Sequence, residues 1–496
     1  MFKDIVVNIF GRLWSILSNF LFIPLYISYL GFEKYSIISF TLIITGVMAI
    51  LDAGLSATLS REFSKLNITL SYKLRVFKTL ESCYFLIVLI CFCLISFSSN
   101  YIANNLINQS LLSNDQLSFL LKIVGFEIGF QLLIRFYIGG LLGLDKQVEA
   151  NIYQVGWGVF RNAFVILVIL YYPNLEFFFI WQLISTIVFT LLIRFSLTKK
   201  ISGHYFLFFR PIIDKKIFKQ IGSFASGMLL ISIVAVLNTQ MDKLMISKFL
   251  DIELLGHYTL AISLSTILIV ILSPISIAVL PKFTGLYSLG KNKEASELFQ
   301  ILNSLSSILV LTVMINLIYF GKELIWIWTN NVELSILTYK YLPFTAFSLG
   351  MMSLTIIPYS IAIANGYTKL NNLLGIASLL VTIPGYWLAT KYYGAIGAAI
   401  VFCCVQTLST FIFIYIINKK FTKVSLIKLI KNIITPLFIS SIVIFIINNF
   451  IYLDLTNKTL TLVVISSSIL FSIISNLLIT YNKSDYNLII KTINEK

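Results

Sequence analysis

Apolar segments about twenty residues long recur along this chain, and no other feature limits its fold so strongly. A bilayer core is crossed by roughly 20 apolar residues in a helix. Fourteen such runs occur, at approximately 5–30, 36–58, 78–99, 117–142, 151–171, 177–198, 220–249, 255–280, 298–320, 335–362, 370–390, 394–417, 433–452 and 459–480. In lipid every backbone N–H and C=O needs a partner within the protein, which leaves helices and closed barrels. Barrel strands would alternate over about ten residues rather than stay apolar for twenty. Of 496 residues, 58% are hydrophobic and 12% charged. An ordinary soluble domain carries about a quarter charged residues. The composition therefore excludes a soluble enzyme, a disordered chain and a fibrous protein. An all-α polytopic membrane protein of about fourteen transmembrane helices is expected.

Lys plus Arg is 37 and Asp plus Glu 21, a net charge of +16. In a soluble chain such a surplus would suggest nucleic acid. Here it sits between the apolar runs, as in the cytoplasmic loops of a polytopic protein, and no nucleic-acid partner is expected. With the N-terminus inside, the inner segments hold 26 Lys and Arg and the outer segments 5. Both termini are then cytoplasmic and the number of spans is even. The first run contains Arg12 and lacks a small-residue cleavage site, so it reads as an uncleaved span. All five cysteines fall within spans without a CxxC pair, and the histidines are His204 and His257 alone. Neither a disulfide framework nor a metal centre is expected. Gly285 to Asn292 approaches a phosphate-binding loop but has Asn where Ser or Thr would hold magnesium. It reads as a basic turn, and no cofactor is expected. The longest outer loop, about 100–116, is too small to fold alone. That argues against an enzyme that joins sugars on the outer face.

The chain divides at its most basic inner loop, 199–219, with six runs before it and eight after. The exit of span 1, Ile27 to Ser36, resembles that of span 7, Ile246 to Thr259. Each has Ile-Ser, then Leu-Gly, then a Tyr. The expected organisation is two pseudo-symmetric six-helix lobes, 1–210 and 211–420, followed by a C-terminal hairpin and tail, 421–496. Repeats of this kind are common in transporters, with the substrate near mid-membrane. Pro24, Pro274, Pro343, Pro358, Pro384 and Pro436 can kink spans. Gly125xxxGly129 and Gly139xxxGly143 read as surfaces for close helix packing.

A charge at the centre of a span costs about 2.5–3.5 kcal/mol on insertion scales. Arg12, Arg135 and Arg161 would together cost roughly 8–10 kcal/mol if they faced lipid, so a cavity or a partner is expected for each. At about 1.5 Å per residue, Arg12 and Arg135 lie about 8 Å inward of their span midpoints. Arg161 is near the middle of span 5. Asp52 shares the depth of Arg12, and Glu127 is near the centre of span 4. Three arginines against two acids leave positive charge in the first lobe. Arginine's planar fork of donors suits phosphate oxygens. One reading lines an anion-binding cavity with the arginines and lets Asp52 or Glu127 couple an ion. The other pairs Asp52 with Arg12 and Glu127 with Arg135 or Arg161 as fixed struts. Glu127 and Arg135 stand about 12 Å apart along one helix, so each needs a partner from another span. Asp242 and Lys243 point about 100° apart on span 7 and are not expected to pair. They are candidates for a gate or cavity, with snorkelling of Lys243 as the alternative. Lys122 and Lys340 read as interfacial anchors, and Trp326 and Trp328 as belt residues.

Several short motifs occur in a consistent order. Arg12-Leu-Trp-Ser is followed by Ile23-Pro24-Leu25-Tyr26, Tyr29-Leu30-Gly31 and Leu51-Asp52-Ala53-Gly54-Leu55-Ser56. Then come Gln240-Met241-Asp242-Lys243, Leu255-Gly256-His257-Tyr258, Leu280-Pro281-Lys282, Ala364 to Lys369 and Tyr393 to Ala399. This ordered set resembles bacterial polysaccharide flippases, the O-antigen and capsule repeat-unit transporters of the multidrug/oligosaccharidyl-lipid/polysaccharide exporter superfamily. The resemblance implies two six-helix lobes around a central cationic cavity that opens alternately to each face. It implies an undecaprenyl-diphosphate-linked oligosaccharide as cargo, in the bacterial cytoplasmic membrane. Membrane lipids, a proton or sodium ion and other polysaccharide-assembly membrane proteins are the other implied partners. The family's functional arginine near the start of span 1 carries over to Arg12, its acid at the end of span 2 to Asp52 and its Asp-basic pair in span 7 to Asp242 and Lys243, and Arg12, Asp242 and Lys243 are candidates for binding the substrate. Lys243 stands where Arg is common. Two rival readings are a drug/cation antiporter of the same superfamily and a membrane polysaccharide polymerase.

Overall fold

The computed structural model describes residues 18, 20–52, 54–65, 69–108, 111–203, 213–451, 453 and 455–480. Among them twelve helices are long and apolar enough to cross a membrane. One of these, Lys369–Thr422, contains two of the fourteen expected spans. The first expected span lies largely outside the described residues, and only its end, α1 (Ile23–Leu30), is seen. Contacts divide the chain into two compact units, Met1–Gly256 and His257–Lys496.

In the first unit, α2 (Phe32–Met48) ends in a 3₁₀ turn at Ala49–Asp52, and α3 (Leu55–Phe63) follows. Gly54 supplies the left-handed conformation between them, at φ 71°. The long pair α4 (Leu70–Asn105) and α5 (Asn114–Gly143) forms a hairpin. α4 runs longer than its apolar stretch suggested, because Ser98 and Ser99 donate to helix carbonyls instead of ending it. α5 opens with a capping box: Ser113 Oγ accepts from the Gln116 N–H, and Gln116 Oε1 accepts from the Ser113 N–H. α5 becomes the central helix of the unit, with 72% of its apolar window buried.

The GxxxG surfaces on α5 act as the sequence suggested. A Cβ at Gly125 or Gly129 would stand 2.9 Å from Ile95 or 2.8 Å from Val88, both on α4. At Gly139 and Gly143 it would meet the carbonyl oxygens of Ser56 and Ser60 on α3, at 2.7 and 2.5 Å. Four glycines thus let two helices touch one. The unit continues through α6 (Gln147–Asn162), α7 (Phe164–Tyr171), α8 (Leu175–Ser202) and α9 (Lys215–Phe249). α9 packs on α2, where Gln240 fills the space beside Gly46. α10 (Ile252–Ser265) begins with an N–H bond from Ile252 to the Asn108 carbonyl, 2.9 Å.

The second unit includes α11 (Ile267–Ser288), α12 (Asn292–Tyr319), α13 (Gly321–Thr329), α14 (Val332–Tyr339), α15 (Leu342–Leu354) and α16 (Ile356–Ala364). α17 (Lys369–Ile417) is interrupted at Gly394, φ 64° and ψ −157°. Gly397 then lies against the Ala389 carbonyl and Gly385 against Val401, so the segment doubles back as two spans. Pro24 and Pro343 sit in first helical turns, where the missing N–H is no loss. Pro274, Pro384 and Pro436 lie inside helices.

α18 (Leu426–Phe450) and α19 (Lys458–Thr480) pack on α12. Their seam is polar. Asn476 donates to Ser440 Oγ at 3.2 Å and to the Ser472 carbonyl at 2.8 Å. Ser468 donates to Asn316 Oδ1 at 2.8 Å. Lipid offers no hydrophobic drive for helix association, and such side-chain bonds supply part of it.

Candidate functional site

The interior charges of the first unit gather on α5. Glu127, Gln131 and Arg135 are spaced by four and share one face. Glu127 is buried, and Gln131 Nε2 donates to its Oε1 at 2.9 Å. Arg161 reaches the same oxygen from α6 with Nε at 3.0 Å and Nη2 at 2.9 Å. Thr186 Oγ1 on α8 adds a longer contact of 3.4 Å. The Arg161 guanidinium also lies 5.6 Å from the Trp157 ring centroid. Of the two partners proposed for Glu127, Arg161 is therefore the one engaged. Its side chain keeps 16% of its surface exposed, against 4% for Glu127.

The helical hydrogen-bond ladder is interrupted at the same place, although Ala163 keeps a right-handed helical backbone, φ −85° and ψ −47°. α6 stops at Asn162 and α7 starts at Phe164, in the middle of a candidate span. Side chains take the three carbonyls at the break. Trp181 Nε1 donates to Phe160 O at 3.0 Å and Gln182 Nε2 to Arg161 O at 3.2 Å. Tyr26 donates to Asn162 O at 2.7 Å. An unsatisfied buried carbonyl costs about 1–3 kcal/mol, so these partners make the interruption tenable. A cation at a helix C-terminus also meets the negative end of the helix dipole. The break thus holds Arg161 at mid-span through its carbonyl, its charge and its carboxylate partner.

Asp52 lies at the end of the 3₁₀ turn. Ser56 donates to its Oδ2 at 2.8 Å, and the Tyr84 hydroxyl donates to Oδ1. Arg135 is exposed and acts electrostatically on Tyr84. No ion pair among the described residues engages Arg135. Arg12 lies outside the described residues. Asp242 is buried on α9, and Lys243 folds back onto it, with Nζ 3.2 Å from Oδ1 and 2.6 Å from the Thr239 carbonyl. The expectation that these neighbours do not pair was wrong. Lysine's four-carbon stem spans the angle between adjacent helical positions. Trp326 is buried, with Lys458 Nζ 5.5 Å from its ring centroid. Gly285 to Asn292 forms a corner between α11 and α12, where Lys291 pairs with Glu294 at 3.0 Å.

One ion pair escaped the sequence reading. Arg194 Nε lies 2.7 Å from Glu81 Oε1, and Tyr137 donates to that oxygen at 2.9 Å. The count of inner cations takes Arg194 with the basic loop, although the apolar run 177–198 already contains it. It is inside α8. The signal available was a lone glutamate, Glu81, at the start of an apolar run that needs a basic partner at its own depth.

Comparison with known proteins adds to this geometry. A family model described as "Polysaccharide biosynthesis protein" matches residues 1–286. The chain belongs to this family. The MatE family model also matches, over residues 228–388. Both matches agree with the exporter superfamily that the ordered motifs resemble. Among curated proteins none matches the chain. Among solved structures, the lipid II flippase MurJ in an inward closed conformation superposes with a TM-score of 0.77 at 16% identity, over 97% of this chain and 99% of that one. An inward-facing multidrug resistance MATE family transporter gives a TM-score of 0.63 at 12% identity, over 84% of this chain and 98% of that one. At these identities the likeness is one of fold. This chain shares the helical fold of these transporters, with twelve helices among the described residues long and apolar enough to cross a membrane.

Proposed function

We propose that this chain is a flippase that carries an undecaprenyl-diphosphate-linked oligosaccharide repeat unit across the bacterial cytoplasmic membrane, for O-antigen or capsule assembly. The observation that carries this reading is Arg161 held at a helix break in mid-span. Discontinuous helices with a charged group at the break form ion and substrate sites in transporters. The diphosphate would bind Arg161, with Arg135 and Arg12 as further contacts and Asp242 and Lys243 acting from α9. The sugars would stay in water and the lipid tail in the bilayer. Movement by alternating access between two six-helix lobes, 1–210 and 211–420, would expose the headgroup on the far side, and 421–496 would add the peripheral hairpin. Both termini would be cytoplasmic. The chain would act as a transporter and not as an enzyme.

Glu127 gives this scheme a coupling device. While ionised it competes with phosphate for Arg161. Protonation would remove that competitor, so a proton taken up at Glu127 would favour substrate binding. Asp52 offers a second carboxylate, and sodium an alternative ion. A drug/cation antiporter would need an embedded acid free to take the cargo. Glu127 and Asp242 are both occupied by a basic partner, and Asp52 by the hydroxyls of Ser56 and Tyr84, which favours the flippase reading.

The test is complementation of a strain lacking its own repeat-unit flippase, with wild type and Arg161→Ala at matched expression. Surface glycan restored by wild type and lost in the variant is expected. Rescue by both would remove Arg161 from the binding site.

A further inference from the structure

In the second unit the chain leaves α17 through a π turn, Asn418–Thr422, and enters α18 at Leu426. Asn418 builds the turn from inside. It is buried, its Nδ2 donates to the Val424 carbonyl at 2.8 Å, and its Oδ1 accepts from the Val424 N–H at 2.9 Å. The corner is thereby fixed with Lys419, Lys420 and Lys423 exposed on it. Lys423 holds a left-handed backbone, φ 51°. Three ammonium groups within five residues repel one another. No carboxylate among the described residues forms an ion pair with any of them. Lys420 Nζ rests 3.5 Å from the Tyr367 ring centroid, and Tyr367 in turn packs edge-on against Phe421 at 5.8 Å. Aromatic rings beside lysines are the pattern of a bilayer headgroup layer.

The helices flanking the turn supply the second half of the chemistry. On α18 the first two turns expose Ile427 at 80% and Ile430 at 52%. On α17 the last turn exposes Tyr415 at 47%. Cations and bare apolar side chains thus adjoin within one helical corner. A ligand that satisfies both must be anionic at one end and hydrocarbon at the other.

We propose that the α17–α18 corner seats an anionic bilayer phospholipid. Its phosphate lies among Lys419, Lys420 and Lys423, and its acyl chains lie along Ile427 and Ile430. The phosphate removes the repulsion among the three ammonium groups. This site stands apart from the transport reading, because it concerns the resident lipid and the other unit of the chain.

The test is native mass spectrometry of the full chain purified in detergent, titrated with phosphatidylglycerol or phosphatidylcholine. Wild type should retain phosphatidylglycerol in preference to phosphatidylcholine, and added salt should weaken that retention. Each lysine removed near an anionic headgroup should weaken binding roughly five-fold, so Lys419→Gln, Lys420→Gln and Lys423→Gln together should cost on the order of a hundred-fold. The same triple change to Arg should keep the binding, which separates lost charge from lost folding. Lys322→Gln, Lys391→Gln and Lys458→Gln together, with equal charge removed elsewhere, should leave it unchanged. Equal retention of both lipids by wild type, or undiminished phosphatidylglycerol binding by the folded glutamine variant, would overturn the proposal.

Discussion

Glu127 loses its water inside the first unit and receives donors from α5, α6 and α8 on one oxygen. Removing one member of a buried ion pair strands the other, at about 3–5 kcal/mol. Glu127→Ala and Arg161→Ala should each destabilise on that scale. The double variant should lose clearly less than their sum, as a thermal or denaturant double-mutant cycle would read. Strict additivity would mean that the pair is not coupled. A different acid shows the opposite situation. Glu323 lies on α13 between two candidate spans, and its Oε2 is buried without a hydrogen-bond partner. Burial raises its carboxyl above the usual range, opposed by its backbone N–H and by Lys322. A raised acid pKa means that the folded state binds the proton more tightly than the unfolded one. Stability is then greatest below the ordinary carboxylate pKa and falls as pH rises through the raised value. Glu323→Gln should therefore raise the melting temperature near pH 7, and the gain should shrink toward about pH 4. A gain independent of pH would contradict this.

The seat of α3 on α5 depends on two glycines whose missing Cβ atoms leave room for backbone oxygens. Backbone cannot swing aside as a side chain can, so Gly139→Ala or Gly143→Ala should cost about 1–3 kcal/mol through overpacking. Gly285→Ala has nothing within 4 Å and should not destabilise. Melting temperatures of the three variants side by side decide the point. The helix break after Asn162 offers a second comparison. Tyr26→Phe removes the donor to the Asn162 carbonyl and should cost about 1–3 kcal/mol. A loss near zero would mean that the carbonyl is satisfied in another way. At this scale the sequence was informative where a pattern has one cause. Twenty apolar residues make a span, and small residues spaced by four make a contact. It was silent on the break at Asn162, because neither Pro nor Gly marks it. Its partners, Tyr26, Trp181 and Gln182, come from other helices and have no fixed spacing from it.

Across the whole molecule, the composition already required a polytopic helical protein, and the ordered motifs pointed to the family that the matched residues establish. The pairing of the interior charges was less legible, since depth along a span says which residues are level but not which helices adjoin. Glu127 with Arg161 was one of two options, and Glu81 with Arg194 was hidden because Arg194 was counted with the basic loop and not with the apolar run that contains it. The central claim is that the unit carrying Arg161 passes a lipid-linked anionic headgroup through the bilayer. It is tested most directly in proteoliposomes that contain the purified full chain and a fluorescent oligosaccharide on undecaprenyl diphosphate. A membrane-impermeant quencher reports how much headgroup reaches the outer face. The account predicts faster crossing with wild type than in empty liposomes, and crossing at the empty-liposome rate with Arg161→Ala that is folded as judged by melting. Wild type no faster than empty liposomes, or Arg161→Ala as fast as wild type, would contradict it.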